Sequence, residues 1–536
     1  MFQQLLTPIG GSLSASFVVA LTPILTVLLL LGALRRPAWQ ASLAGLIVAL
    51  VVAIGFWQFP PALAAAAIGN GVVFALLPVM WIVFTALLLY NVAVTTGHFD
   101  AFRDWVMNHL PNDRRVVLVV IGFCFGALLE GVAGFGTPVA ITSWLLIMVG
   151  FPPLEALVFT LIFNTAPVAF GALGVPITTL GKVTGLPAMA LGQMVGRQLP
   201  FLAFLLPFYV MTIYGGLRSV RALFPMLLVA GGSFALSQFV ASNYIDYQLT
   251  DVLSSLGALI VTILFLQVWR PAPDPLHTIP PLTARPATRG TAPVAPWRGW
   301  IPWVIVAAVV ILWTDYKVFA IGAQTFPFPG LHDQVAITLY GGKAYAALYT
   351  FQPLSTGTAI LVASIITAFL CACSPAAFIR CIGQTWRQTW LAIVTVALII
   401  SVAFLMNYSG LSYTLGKGVA AAGPIFILLS PFLGWIAVFL SGSDTSGNAL
   451  FGNLQVVAAH QLNLNPVLIA ATNSSGGVLG KMISPQNIAT GVAVTNLKGQ
   501  EGAVFARTFV HSVFLTILLG LLVALQQYVV PWMIPH

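Results

Sequence analysis

Charge is what this chain has least of. Asp, Glu, Lys and Arg make up 6% of its 536 residues, where a soluble domain carries about 25%. So few charges cannot cover a water-facing surface, and 59% hydrophobic residues leave the bilayer as the solvent. The length exceeds what one anchor needs, so an all-α polytopic membrane protein is expected. Cysteine is scarce too. Cys124, Cys371, Cys373 and Cys381 lie in or beside apolar runs, and Cys371-x-Cys373 has no second pair and no histidines nearby, which excludes a zinc or redox spacing. Met1 to Ser12 carries no basic residue, unlike the start of a signal peptide. A nucleotide-binding loop, a metal-spaced histidine set and a credible catalytic triad are all missing. Neither an enzyme nor a cofactor is expected. The net charge of +9 reflects arginines gathered on one membrane side, not a nucleic-acid partner.

Against that background two acids stand out. Glu130 heads the run Glu130-Gly-Val-Ala-Gly-Phe-Gly-Thr-Pro138, and Asp444 lies in Ser441-Gly-Ser-Asp-Thr-Ser-Gly-Asn448. An ionised carboxylate at the bilayer centre costs roughly 3 kcal/mol or more. Two of them in matching surroundings point to a substrate or proton pathway.

A hydrocarbon core of ~30 Å needs about 20 helical residues. Twelve crossings are expected: Phe17–Leu34, Ala41–Phe59, Val72–Tyr90, Leu154–Leu180, Met189–Tyr214, Leu223–Val240, Val252–Trp269, Trp300–Trp313, Thr356–Leu370, Trp390–Met406, Pro466–Val494 and Phe509–Val530. Two stretches fit no simple span. Residues 116–150 would run ~50 Å as one helix, with a glycine-rich middle that ends at Thr137-Pro138. Residues 424–461 repeat the problem, with the break at Ser441 to Asn448. Each is expected to be a re-entrant helical hairpin, which is tolerated only when packed in protein or facing a water-filled cavity.

The positive-inside rule fixes the orientation. With the N-terminus outside, the inner loops receive Arg35, Arg36, Arg103, Arg114, Arg115, Arg218, Arg221, Arg270, Arg285, Arg289, Arg298, Arg380, Arg387, Lys498 and Arg507. The outer loops receive Lys182, Lys317, Lys343 and Lys417. The first hairpin then opens from the cytoplasm and the second from outside, and both termini lie on the extracytoplasmic side.

The order of features around the hairpins is the same in both halves. A span, a connector, a hairpin and a broken span follow one another twice, in residues 1–269 and 300–536, with a Pro-rich, flexible cytoplasmic linker at 270–299. The broken spans, 154–180 and 466–494, are interrupted by Asn164-Thr165-Ala-Pro167 and by Asn473-Ser-Ser-Gly-Gly477. Two halves of opposite insertion, with broken helices near the midplane, form an inverted repeat, a common transporter plan.

Broken helices expose backbone N–H groups at their N-terminal ends, and those groups bind small anions. Thr137, Asn164, Thr165, Ser443, Thr445, Ser446, Asn448, Asn473, Ser474 and Ser475 would add hydroxyl and amide donors. Without an arginine clamp, the set suits a small, singly charged organic anion. Desolvation and a bound anion both favour the protonated form of Glu130 and Asp444, so proton symport is the simplest coupling. The plain alternative has each acid only bonding its own hairpin tip, and a sodium site is a further one. Lys481 serves as substrate counter-charge, as salt-bridge partner of Asp444, or as a snorkelling lysine at the inner interface. Arg197 and His460 read as packing residues.

The motifs Glu130 to Ile141, Asn164 to Gly174, Gly442 to Gln455 and Gly480-Lys-Met-Ile-Ser-Pro-Gln486 resemble the lactate permease family over nearly the whole chain. The resemblance implies proton-coupled uptake of L-lactate, with D-lactate and glycolate as further substrates, in a bacterial inner membrane. It also implies an elevator-type transporter, whose transport domain slides against a homodimeric scaffold. Two other classes compete. A proton- or sodium-conducting subunit of an energy-coupling complex would need a chain of buried Lys, Glu and His that the sequence does not supply. A membrane-embedded enzyme would need a base for Ser443.

Overall fold

A chain that must satisfy every backbone hydrogen bond without water has helix as its main recourse, and the computed structural model is helical almost throughout. It describes residues 1–32, 34, 36–132, 137–279, 294–495, 497 and 500–535. Ten helices among them are long and apolar enough to cross a membrane. The count is eleven when the bent pair Pro153–Phe163 and Val168–Thr184, inclined by 64°, is taken as one span. This is an all-α polytopic membrane protein.

The count differs from the expected twelve for physical reasons. Leu199–Val240 is one run of 42 residues, ~63 Å at 1.5 Å per residue and about twice the hydrocarbon thickness. It is broken at Gly216, whose φ of 65° and ψ of −176° belong to glycine alone. The break falls between the expected spans Met189–Tyr214 and Leu223–Val240, which count as one only because helix continues on both sides of Gly216. Thr356–Leu370 has 15 residues, short for a crossing by itself. The span expected at 466–494 does break, but after Lys481, between helices Pro466–Lys481 and Pro485–Thr495, and not at residues 473–477, which lie inside a continuous helix.

Helix Arg114–Val132 differs from the spans around it. It is 100% buried within the protein, against 33% for Leu13–Leu30, so it meets no lipid. After it, helix Thr137–Met148 returns, and Arg114 Nη1 donates to the Gly150 carbonyl at 3.1 Å. The two ends of this stretch thus lie together. Residues 133–136, between the two helices in sequence, lie outside the described residues. In the second half, Phe426–Ser441 and Asp444–Gln461 are joined through Gly442, in the left-handed region at φ 69°.

Two parts of the chain hold more order than the sequence indicates. Phe2–Gln3 pairs in parallel with Val335–Ala336, and Gln324–Pro327 pairs antiparallel with Leu348–Phe351. The N-terminal residues and the long loop after Asp315 therefore share one face. The linker was expected to be flexible, yet its opening residues are anchored. Arg115 binds Asp113 at 2.6 Å and Asp274 at 3.2 Å, and Arg114 N donates to the His277 carbonyl at 2.8 Å. Residues 280–293, with Arg285 and Arg289, lie outside the described residues, as do Arg35 and Lys498.

Helices Phe426–Ser441 and Pro466–Lys481 pack backbone to backbone. A Cβ at Gly434 would strike the Asn473 carbonyl, one at Gly476 the Pro431 carbonyl, and one at Gly480 the Trp435 carbonyl. Small residues at such spacing let membrane helices approach closely. Gly476→Val should destabilise the fold by about 1–3 kcal/mol through overpacking, read as a lower thermal midpoint in detergent. Gly502→Ala, where an added Cβ meets nothing within 4 Å, should show no loss. Equal midpoints for the two would refute the seam.

Candidate functional site

Two helices begin side by side in the protein interior. The first restarts after Gly171 through Ala172, Leu173 and Gly174, at φ 45°, 57° and 74°. Left-handed backbone at a residue with a Cβ costs roughly 1–2 kcal/mol, so this restart is held by its surroundings. Pro176 then falls in the first turn, where its missing N–H leaves no bond unmade. The second helix, Asp444–Gln461, is capped by Ser443, whose Oγ accepts from Ser446 N at 3.3 Å. Ser446 thus takes part through its backbone. Asn448 Nδ2 donates to the Pro176 carbonyl at 3.2 Å and ties the two starts together.

Between them lies a cavity of about 390 Å³ including its mouth, lined by Glu130, Lys481, Ser443, Asp444, Thr445 and the turn that begins at Gly171. Both acids singled out in the sequence reach it. Glu130 is 3% exposed. Lys481 Nζ lies 2.7 Å from its Oε1, and Asn164 Nδ2 donates to its Oε2 at 3.0 Å. Lys481 is therefore neither snorkelling nor the partner of Asp444. It is buried and neutralises Glu130 from 351 positions away.

Asp444 has no such cation in contact. Its Oδ2 accepts from Ser474 Oγ at 2.5 Å and from Asn448 Nδ2 at 3.2 Å. Its Oδ1 is buried without a hydrogen-bond partner among the described residues. A buried acceptor left unmade costs about 1–3 kcal/mol, and a proton or a donor on the ligand would relieve it.

Behind Asp444 runs a chain of amides. Ser430 Oγ donates to Gln455 Oε1 at 2.6 Å, Gln455 Nε2 to Asn473 Oδ1 at 2.9 Å, and Asn473 Nδ2 to Asn448 Oδ1 at 2.9 Å. Asn448 then donates to the carboxyl. Each link polarises the next. Asn448, Asn473 and Ser474 hold Asp444, as Asn164 holds Glu130; none of them lines the cavity.

Two expected residues serve elsewhere. Thr165 Oγ1 returns to the Ile162 carbonyl at 2.7 Å, and Ser475 Oγ donates to Gln198 Oε1 at 2.7 Å. Thr137 begins its helix, and its side chain lies outside the described residues. His460 packs its ring on Tyr340, and Arg197 binds Asn243 and the Met533 carbonyl. Among the described residues no cluster of three or more His, Cys, Asp or Glu could hold a metal. The sequence reading missed Gln455, which looks like one more helix residue, and Asp251, which lies just before an apolar run.

Comparison with known proteins bears on the chain as a whole. The model of the L-lactate permease family matches residues 16–530. An L-lactate permease of Salmonella typhimurium is 42% identical over 553 residues and covers 100% of both chains. The glycolate permease GlcA of Escherichia coli is 42% identical over 550 residues, 98% of each chain. The L-lactate permease of Bacillus subtilis is 40% identical over 565 residues, 99% of each.

The ion pair makes a direct prediction. Lys481→Met leaves Glu130 buried without its cation and should cost about 3–5 kcal/mol. Adding Glu130→Gln removes the stranded charge and should recover most of that loss. Thermal unfolding of the single and double variants in detergent is the measurement. Equal midpoints would mean that the pair is not what compensates Glu130.

Proposed function

The chain belongs to the L-lactate permease family, and from that premise we propose that it is a secondary transporter that takes up L-lactate, and with it D-lactate and glycolate, together with protons. One observation carries the reading: the only cation lining the cavity among the described residues, Lys481, is already paired with a carboxylate, Glu130. An incoming substrate carboxylate competes for that lysine. Once Lys481 turns to the substrate, Glu130 is left as an uncompensated buried charge, and taking up a proton removes it. Anion binding and proton binding are thereby linked.

The start of helix Asp444–Gln461 offers backbone N–H groups and the Thr445 hydroxyl to the same carboxylate. Asp444, with one oxygen unpartnered, is suited to bind the substrate's 2-hydroxyl or a second proton. Glycolate differs from lactate by a methyl group, and the apolar side of the cavity, Val168 and Val175, faces that difference.

The same proposal includes the larger plan. The stretches 116–150 and 424–461 serve as re-entrant hairpins of two inverted halves, and the hairpins with their broken spans form a transport domain that slides against a homodimeric scaffold in a cell inner membrane. The paired ends of the first stretch and the complete burial of its first helix, Arg114–Val132, support the hairpin. The strand pairing of Phe2 with Val335 supports one common face, taken as extracytoplasmic, for the N-terminus and the loop after Asp315.

Purified protein in sealed vesicles, with an imposed pH gradient and sodium absent, tests the reading. Radiolabelled lactate should accumulate above equilibrium. Glu130→Gln and Asp444→Asn should each reduce accumulation to the passive level while the protein still folds. Gradient-driven uptake unchanged in both variants would remove the proton-carrier roles, and uptake that requires sodium would replace the coupling ion.

A further inference from the structure

A third acid lies behind the cavity. Asp251 stands in the first turn of helix Thr250–Val268 and is 0% exposed. Neither of its carboxyl oxygens has a hydrogen-bond partner among the described residues. It packs against the residue after Glu130: a Cβ at Gly131 would lie 2.7 Å from Asp251 Cβ. The charged groups that act on it are Glu130, of like sign, and Lys481.

Such a group is a poor structural element. An ionised carboxylate with no donor is among the most costly things a protein interior can hold. Here Lys481 already serves Glu130, so a second negative charge would go uncompensated. A protonated Asp251 removes the charge but still leaves both oxygens without partners among the described residues, which remains unfavourable for a buried polar group. An apolar residue would avoid both costs. The surroundings also connect outward. Asp246, half-buried, caps the turn before this helix by accepting from Gln248 N at 2.8 Å, and the Tyr247 hydroxyl bonds Thr178 Oγ1 at 3.0 Å. Asp251 thus stands between a polar loop on one side and Glu130 on the other.

We propose that Asp251 is a proton-holding residue that supplies Glu130. At rest the proton is on Asp251 and the negative charge on Glu130, balanced by Lys481. When Lys481 turns to the substrate carboxylate, the Asp251 O–H bond breaks and a Glu130 O–H bond forms. Asp251, briefly ionised, regains a proton from water on the side of the 241–249 loop. One proton enters for each substrate anion, and no other co-reactant is required. Asp251 acts through Glu130 and does not touch the substrate.

This inference rests on the proton-coupled reading above, and the experiment separates the two. Wild type, Asp251→Asn and Asp251→Glu are reconstituted in vesicles. Each is assayed for pH-gradient-driven lactate accumulation and for lactate exchange at equal concentrations on both sides, which needs no net proton movement. Asp251→Asn should lose accumulation and keep exchange, while Asp251→Glu should keep both, with accumulation shifted in its dependence on outside pH. Accumulation by Asp251→Asn equal to wild type would overturn the role, as would loss of exchange and accumulation together in both variants. Failure of wild type itself to accumulate lactate would overturn the proton-coupled reading and this inference with it. An infrared difference spectrum keeps the test open should Asp251→Asn not fold. In an Asp444→Asn background, adding lactate should perturb the band of a buried protonated carboxyl, and a resting protein without that band would refute the assignment.

Discussion

The contact between Lys481 and Glu130 is the constraint around which the interior is arranged. Two opposite charges at 2.7 Å, each buried, are costly to take out of water, and their attraction offsets that cost only when geometry and further hydrogen bonds are good. Asn164 supplies one such bond to Glu130. The pair also dictates topology. Glu130 lies near the end of helix Gly126–Val132, and Lys481 ends helix Pro466–Lys481. Their meeting requires both chain segments to stop in the interior, where Ala172 and Leu173 adopt left-handed backbone and Ser443 caps a new helix. The glycine seam at Gly434, Gly476 and Gly480 lets the helix bearing Lys481 lie close enough to Phe426–Ser441 for the start of Asp444–Gln461 to face the same cavity.

The three acids differ in surroundings, and on the proposed function these differences suit them to different work. Glu130 has a cation and an amide donor, so its charge is provided for. Asp444 has a hydroxyl and an amide on one oxygen and nothing on the other, at the start of a helix whose dipole favours negative charge. Asp251 has no donor at all. A protein that needed only three small side chains at these positions would not choose carboxyls in three grades of compensation. Graded compensation is how one interior holds both fixed charges and movable protons.

What the sequence made legible follows from cost and locality. Glu130 and Asp444 were visible because a charge inside an apolar run is expensive in any fold. The polarity of Asn164, Asn448 and Asn473 was visible too, but not its direction: these amides face the acids and not the cavity, which depends on packing between segments. Lys481 was read with three alternatives, none of them an ion pair with Glu130, since that partner lies 351 positions away and no local spacing encodes it. Asp251 was passed over because an acid bordering an apolar run reads as interfacial. Its helix begins inside the protein, so the border of the run is not the border of the membrane. The break at Gly216 was legible between two apolar runs, whereas the polar cluster at residues 473–477, read as a break, continues a helix. The small sheets escaped notice because Phe2 and Val335 meet across more than half the chain.

Charge counting supplies the last step, on the proposed function. With Asp444, which also lines the cavity, taken as protonated throughout, the empty site is neutral when Glu130 is ionised and Lys481 faces it. The loaded site is neutral when Lys481 faces the substrate anion and Glu130 holds a proton. The two remaining combinations carry a net charge: substrate without proton is one negative, and proton without substrate is one positive, because Lys481 then has no partner. In a low-dielectric interior each net charge costs several kcal/mol, and a site that crosses the membrane must carry that cost through its most desolvated position. The charged combinations are therefore the ones that cannot cross. Strict coupling of anion to proton then needs no gate or dedicated lock; it follows from having one lysine, and not two, at the cavity wall.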